Sequence, residues 1–222
     1  MRYRLTLTTQ PASEPVTLDE AKAQLRITTD DEDALIAGYI QTAREQAEMF
    51  TSRAFLPQTF TMYLDGFPSL HRGFRAGHGI SLRGSVDPLL GMLLSSAGEI
   101  QIPRGPIISV DSISYIDTTG TQQFLNSSQY QVDPQSDDDL VRIMPAYGSV
   151  WPATRYVPNA VVIQFHAGYV DVDHLPQSVK LAMKQTIGDW YQNREAIVVD
   201  SRVAVQQLPN AAKMLLWNYR LF

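Results

Sequence analysis

Three consecutive aspartates, Asp137, Asp138 and Asp139, come nearest in residue type and spacing to a chemical site. Hard divalent cations such as calcium and magnesium take clustered carboxylates, which is the chemistry this run could support. It lacks the alternating ligand positions and the loop glycine of a calcium-binding loop. A solvated turn is therefore the stronger expectation, with a divalent-metal enzyme or module as the alternative. The four histidines, His71, His78, His166 and His174, are scattered, and none pairs with another at helical ligand spacing. Gly77-His78-Gly79-Ile80-Ser81-Leu82 begins like a dinucleotide loop but has no third glycine and no strand-to-helix context. No Gly-Lys-Ser or Gly-Lys-Thr phosphate loop and no nucleophile elbow occurs. With no cysteine, disulfides, a thiol nucleophile and thiolate zinc sites are excluded. No catalytic constellation results, and neither a cofactor nor a bound metal is expected.

Charge narrows the partners. The net charge of -5 argues against a general nucleic-acid binder, whose affinity comes mainly from Lys and Arg on phosphates. The distribution is uneven: +1 over residues 1–14, -5 over 15–65, +2 over 66–105, -6 over 106–175 and +3 over 176–222. An acidic middle thus precedes a basic tail. The 44% hydrophobic and 18% charged content is that of a globular protein with a sizeable core. No apolar run approaches the roughly 18 residues of a membrane span, and the first residues carry no signal-peptide stretch. Cytoplasmic synthesis and no membrane partner are the expectation.

Two helices in series are expected within residues 14–53. Thr17-Leu18-Asp19-Glu20 has the spacing of a capping box. The second helix opens with Asp30, Asp31, Glu32 and Asp33, where an aspartate can cap and the other carboxylates meet the positive end of the helix dipole. Leu35, Ile36, Tyr39, Ile40, Ala43, Ala47 and Phe50 recur on one face, with Gln41, Arg44, Glu45 and Glu48 on the other. That pair could suggest a helix-turn-helix, but its acidic turn would meet phosphate with like charge, so a DNA-binding module is a weak alternative.

Strands follow. Gln58 to Asp65 alternates, with Phe60, Met62 and Leu64 on one face. A long loop over 66–98 is expected either as a hairpin packed on its own sheet or as a projection toward a partner. Short strands are expected over Glu99–Pro103, Val110–Asp117, Gln122–Leu125, Tyr130–Asp133, Leu140–Met144 and Ala160–Phe165, with turn chemistry in Asp117-Thr118-Thr119-Gly120. Helical pattern returns after Pro176, where Val179, Ala182, Met183, Thr186, Ile187 and Trp190 form a stripe. Gly38 and Gly188, inside two of these helices, mark either close helix contacts or tolerated accidents. Ala196 to Leu208 reads as strand or extended linker. Pro209 begins a last helix, whose Ala211, Ala212, Leu215, Leu216, Tyr219 and Phe222 share one side. Trp217 falls on the other side between Lys213 and Arg220, flanked by Met214 and Leu221. Trp beside Arg is the composition of a binding hot spot, and covering an edge of the core is the competing use.

Several stretches, in order, resemble the head-tail connector (adaptor) family of long-tailed bacteriophages and gene transfer particles. They are Glu14-Pro15-Val16-Thr17-Leu18-Asp19-Glu20-Ala21-Lys22 with Leu25-Arg26, Asp31-Glu32-Asp33-Ala34-Leu35-Ile36, and Leu64-Asp65-Gly66-Phe67-Pro68. Ile102-Pro103-Arg104-Gly105-Pro106-Ile107, Tyr115-Ile116-Asp117, Tyr147-Gly148 with Trp151-Pro152, and Ala167-Gly168-Tyr169 continue the set. Trp190-Tyr191-Gln192-Asn193-Arg194-Glu195, Leu208-Pro209 and Tyr219-Arg220 complete it.

The resemblance implies an α+β fold in which N- and C-terminal helices form one bundle around an inserted small antiparallel β domain. The corresponding limits are 1–57, 58–170 with the loop at 66–98, and 171–222. It implies a structural role with no chemistry: a homo-oligomeric ring, expected to be twelvefold, that sits beneath the portal protein and extends the DNA channel toward a tail-side connector or stopper protein. Its place would be the neck of a virion assembled in the bacterial cytoplasm. Carried onto this chain, the grip on the portal would involve Met214, Trp217, Arg220 and Leu221. Double-stranded DNA would pass without sequence-specific binding, which negative charge favours. Candidates for a channel or subunit-interface acidic surface are Asp30, Asp31, Glu32 and Asp33 together with Asp137, Asp138 and Asp139.

Overall fold

The structure, a computed structural model, describes residues 3–68, 98–133, 141–194 and 208–221. It is of the expected α+β class, with eight strands and four α-helices among the described residues. The chain divides into two compact units. One comprises Met1–Thr9, Thr59–Pro103 and Ile107–His166, and the other Gln10–Gln58, Arg104–Pro106 and Ala167–Phe222.

The first unit holds most of the strand residues. Strands β1 (Tyr3–Thr9), β2 (Gln58–Leu64), β4 (Ile107–Ile116), β5 (Gln122–Phe124) and β8 (Val161–Ala167) form one sheet in the order β1-β2-β8-β4-β5. Strands β3 (Ile100–Gln101), β6 (Tyr130–Asp133) and β7 (Arg142–Pro145) form a second in the order β3-β7-β6. Alternation places Phe60, Met62 and Leu64 inside, as it does Val161, Ile163 and Phe165, and the Phe60 and Phe165 rings stack at 5.6 Å. Strand β1 was not expected as an element, although Tyr3, Leu5 and Leu7 alternate. It pairs antiparallel with β2, from Tyr3 opposite Leu64 onward. At the expected turn, the Asp117 Oδ1 accepts from the amides of Thr119 and Thr121 and from the Thr119 hydroxyl. Those bonds, the hydroxyl first, hold the carboxyl well below the ordinary carboxylate range.

Residues 69–97, most of the expected long loop, lie outside the described residues. Just before them Phe67 stacks on Trp151, with centroids 4.8 Å apart and planes at 4°, while the Trp151 Nε1 donates to the Gly98 carbonyl at 2.6 Å. Here the Phe67-Pro68 and Trp151-Pro152 motifs meet. Trp151→Ala removes both contacts at once and is expected to destabilise this unit by about 2–3 kcal/mol, read as a lower urea midpoint.

The second unit is built on α1 (Leu18–Leu25), α2 (Asp33–Thr51), α3 (Gln177–Gln192) and α4 (Asn210–Trp217). The capping box forms: the Glu20 amide donates to the Thr17 hydroxyl and the Thr17 amide to the Glu20 carboxylate, both at 3.2 Å. Helix α2 buries Ile36, Ile40, Ala43 and Ala47 in a core shared with Val179, Ala182, Met183 and Ile187 of α3 and Ala212 and Leu216 of α4. The stripe expected after Pro176 is therefore the partner α2 required. Each such aliphatic side chain contributes roughly 1.5–3 kcal/mol by leaving water. Three expectations change. Leu35 is exposed, whereas Arg44 and Glu48, placed by periodicity on the polar face, are buried. The second helix has Glu32 at its N-cap position with no side-chain cap bond, so no aspartate caps it. Neither Gly38 nor Gly188 has a neighbour within 4 Å of where a Cβ would sit, so they mark no close helix contact.

Candidate interaction surfaces

The buried charges explain several of the resembling motifs. Arg44 donates to Glu14 at 2.8 Å, to Glu48 at 3.0 Å and to Gln10 at 3.2 Å. The other Glu48 oxygen accepts from the Phe55 amide at 2.8 Å and the Gln58 amide group at 2.5 Å. Arg104 donates to the carbonyls of Glu48 and Arg53, the Gly105 carbonyl accepts from the Ala54 amide, and the Pro106 carbonyl accepts from the Gly168 amide. Glu14, Arg104-Gly105-Pro106 and Gly168, distant in sequence, thus converge on the C-terminal end of α2. Burial pushes the Glu48 carboxyl up, against the opposing pull of the Phe55 amide and Arg44. Burial also opposes the charge on Arg44, but Glu14 and Glu48 outweigh it and the net shift is upward. At the centre of this network the Arg44–Glu48 pair is buried.

The acidic run before α2 is largely occupied by cations of its own unit. Lys22 bridges Asp30 at 2.5 Å and Asp33 at 2.8 Å. Glu32 takes Arg194 at 2.8 Å and also accepts from the Tyr191 hydroxyl. Lys22 holds Asp30, and Arg194 with Tyr191 holds Glu32, below the ordinary carboxylate range. Of the four carboxylates, Asp31 and Asp30 are exposed, and Asp30 is already paired. The Trp190-to-Glu195 motif thus reads in part as the cationic partner of this turn. Asp137, Asp138 and Asp139 lie outside the described residues. Among the described residues no group of three or more His, Asp or Glu is placed to hold a metal ion, and no helix is long and apolar enough to cross a membrane.

The C-terminal candidates separate into two kinds. Met214 and Trp217 are 78% and 52% exposed, and Arg220 is exposed beside them. Leu221 is buried, and its amide donates to the Thr51 carbonyl at 2.8 Å. Leu221 thus anchors the segment, and the other three are presented. A fourth member is Phe50 of α2, whose ring lies 6.4 Å from Trp217. The Arg220 guanidinium sits 5.6 Å from both rings, within cation–π range. Periodicity assigned Phe50 to the core stripe, and no local signal links it to a residue 167 positions later.

The described residues thus form an α+β scaffold whose buried charges tie together its own segments, with an aromatic and basic face presented on its last helix. Residues 15–140 match the family model described as "Phage gp6-like head-tail connector protein". The chain belongs to that family, and its role is that of a structural head-tail connector. Its fold is shared with a chain in the neck of an empty GTA particle computed with C6 symmetry, at a TM-score of 0.68 and 17% identity, covering 99% of this chain and 96% of that one. A chain from the virion of a native gene transfer agent (GTA) particle gives 0.67 and 18%, covering 98% and 95%. One from the neck of a native GTA particle computed with C12 symmetry gives 0.65 and 18%, covering 99% and 96%. No curated protein matches the sequence.

Proposed function

We propose that this connector does no chemistry and assembles as a ring of twelve in the neck of a tailed particle, between the portal protein and a tail-side connector or stopper protein. Membership of the connector family carries the reading, and the fold shared with a chain from a C12 neck supports the ring number. The ring continues the channel through which double-stranded DNA passes, and the net charge of -5 suits a lining that must not hold phosphate. Assembly takes place in the bacterial cytoplasm.

The Met214, Trp217 and Arg220 face, with Phe50 behind it, is the contact to the portal. An exposed indole beside a guanidinium is the composition of interface hot spots. Removing residues 209–222 is a blunt test, because it strips Ala212, Leu216 and Leu221 from the interior. Surface substitutions keep those anchors. Met214→Ala combined with Trp217→Ala is expected to weaken binding to the purified portal ring by about 2 kcal/mol, roughly 30-fold, with an unchanged unfolding midpoint. Binding within about 0.5 kcal/mol of the parent would remove this face from the contact.

A further inference from the structure

We propose that the five-stranded sheet continues from one copy of this chain into the next, β1 of one copy pairing beside residues 107–112 of the neighbour's β4. The inference rests on the ring reading and supplies the surface that closes it.

Among the described residues strand β1 is an edge of the sheet, and none of its seven residues is buried; Tyr3 is 51% and Leu7 36% exposed. Edge strands of free-standing sheets are guarded by lysine, proline, bulges or covering segments, because their unpaired amides and carbonyls template another strand. Tyr3-Arg4-Leu5-Thr6-Leu7-Thr8-Thr9 has neither lysine nor proline, and its one irregularity is a register shift between Leu7 and Thr9. Its Tyr, Thr and Leu content suits an added strand. At the opposite side of the sheet, β5 is three residues long and pairs with Ser114, Tyr115 and Ile116 of β4. The Leu125 amide adds one bond to the Ile113 carbonyl. Along residues 107–112 no strand lies on that side among the described residues, and Ile108 is 47% exposed there.

The two open stretches match in length, seven residues against six, and lie on opposite sides of one sheet. Joining them makes a heterologous contact in which every copy gives β1 once and receives once, the geometry that closes a ring by rotation. Main-chain pairing of this kind is strand addition. Charge is complementary: β1 carries the exposed Arg4, and the receiving stretch carries the exposed Asp111, already holding His166 at 2.9 Å.

The absence of native cysteine makes cross-linking a clean test. Arg4→Cys, Thr6→Cys or Leu7→Cys is combined with Ile108→Cys, Ser109→Cys or Asp111→Cys in the full chain, and necks from assembled particles are oxidised. Within one copy β1 and β4 are three strand spacings apart, about 14 Å, beyond the roughly 7 Å a disulfide can span. A bond between them therefore joins two copies. The expected result is a ladder of covalent oligomers on a non-reducing gel for at least one double variant, and no ladder for the single variants. Rings visible by electron microscopy with no ladder from any of the nine pairs would overturn the strand addition and leave the ring reading standing. Necks carrying this chain in some form other than a ring would overturn both.

Discussion

Gly168→Ala is expected to destabilise the helical unit by at least about 3 kcal/mol and to lower Tm by roughly 6–12 °C. Two independent costs add. Gly168 has φ +135, a conformation L side chains rarely adopt, and an ideal Cβ would stand 2.1 Å from the Leu56 carbonyl oxygen and 2.7 Å from the Pro57 nitrogen. Both are backbone atoms and cannot swing away. Moving Gly168 would also stretch the hydrogen bond that its N–H donates to the Pro106 carbonyl, 2.8 Å long. Gly38→Ala is the control of opposite sign. Open space surrounds that position inside α2, so reduced backbone freedom in the unfolded chain is expected to stabilise by about 0.5–1 kcal/mol. Differential scanning calorimetry of the two variants checks both, and equal Tm values would sink the packing argument for Gly168.

Arg44→Ala is the second large effect, expected at about 3–5 kcal/mol near pH 7 because it leaves Glu48 charged and buried without its cation. Its pH dependence separates this cause from simple loss of packing. Glu48 has a folded-state pKa above its ordinary value, so ionising it opposes folding, and stability is lost as pH rises from the unfolded toward the folded pKa. Arg44 pulls that pKa down, so removing Arg44 moves the folded value higher still. The penalty is therefore full above that raised value and shrinks as pH falls through it and Glu48 takes a proton. Urea unfolding of parent and variant at pH 7 and pH 5 should show the smaller difference at pH 5. A penalty independent of pH would mean that the lost contacts of the Arg44 stem dominate.

Element type was legible wherever local periodicity was strong. The Thr17–Glu20 capping box, the alternation in β2 and β8, the Asp117–Gly120 turn and the stripe after Pro176 all depend on neighbours within a few residues, and all formed. The last helix began at Asn210 with Pro209 as its cap. Less legible was the fate of charges. Arg44 and Glu48 sit at helical spacing with Gln41 and Glu45 and look solvated, yet Glu14 and the loop after α2 enclose them. The run Asp30 to Asp33 looked like a cap and a free acidic surface, yet Lys22 and Arg194 claim three of its members.

Legible in the sequence alone were the class of the fold, its helices and its strands from β2 onward, and the ordered motifs that resemble a head-tail connector. The class and the elements follow from side-chain period, caps and turn residues, which act along the chain, whereas the connector reading came from resemblance to a family. The tertiary structure added which polar groups are buried, that a Cβ at Gly168 would meet backbone while one at Gly38 would meet nothing, and that Phe50 joins Trp217 and Arg220 while Leu221 turns inward. These outcomes depend on contacts between residues 30 to 170 positions apart, where the cost of burying a charge or of crowding a backbone is set by a partner that no local window contains.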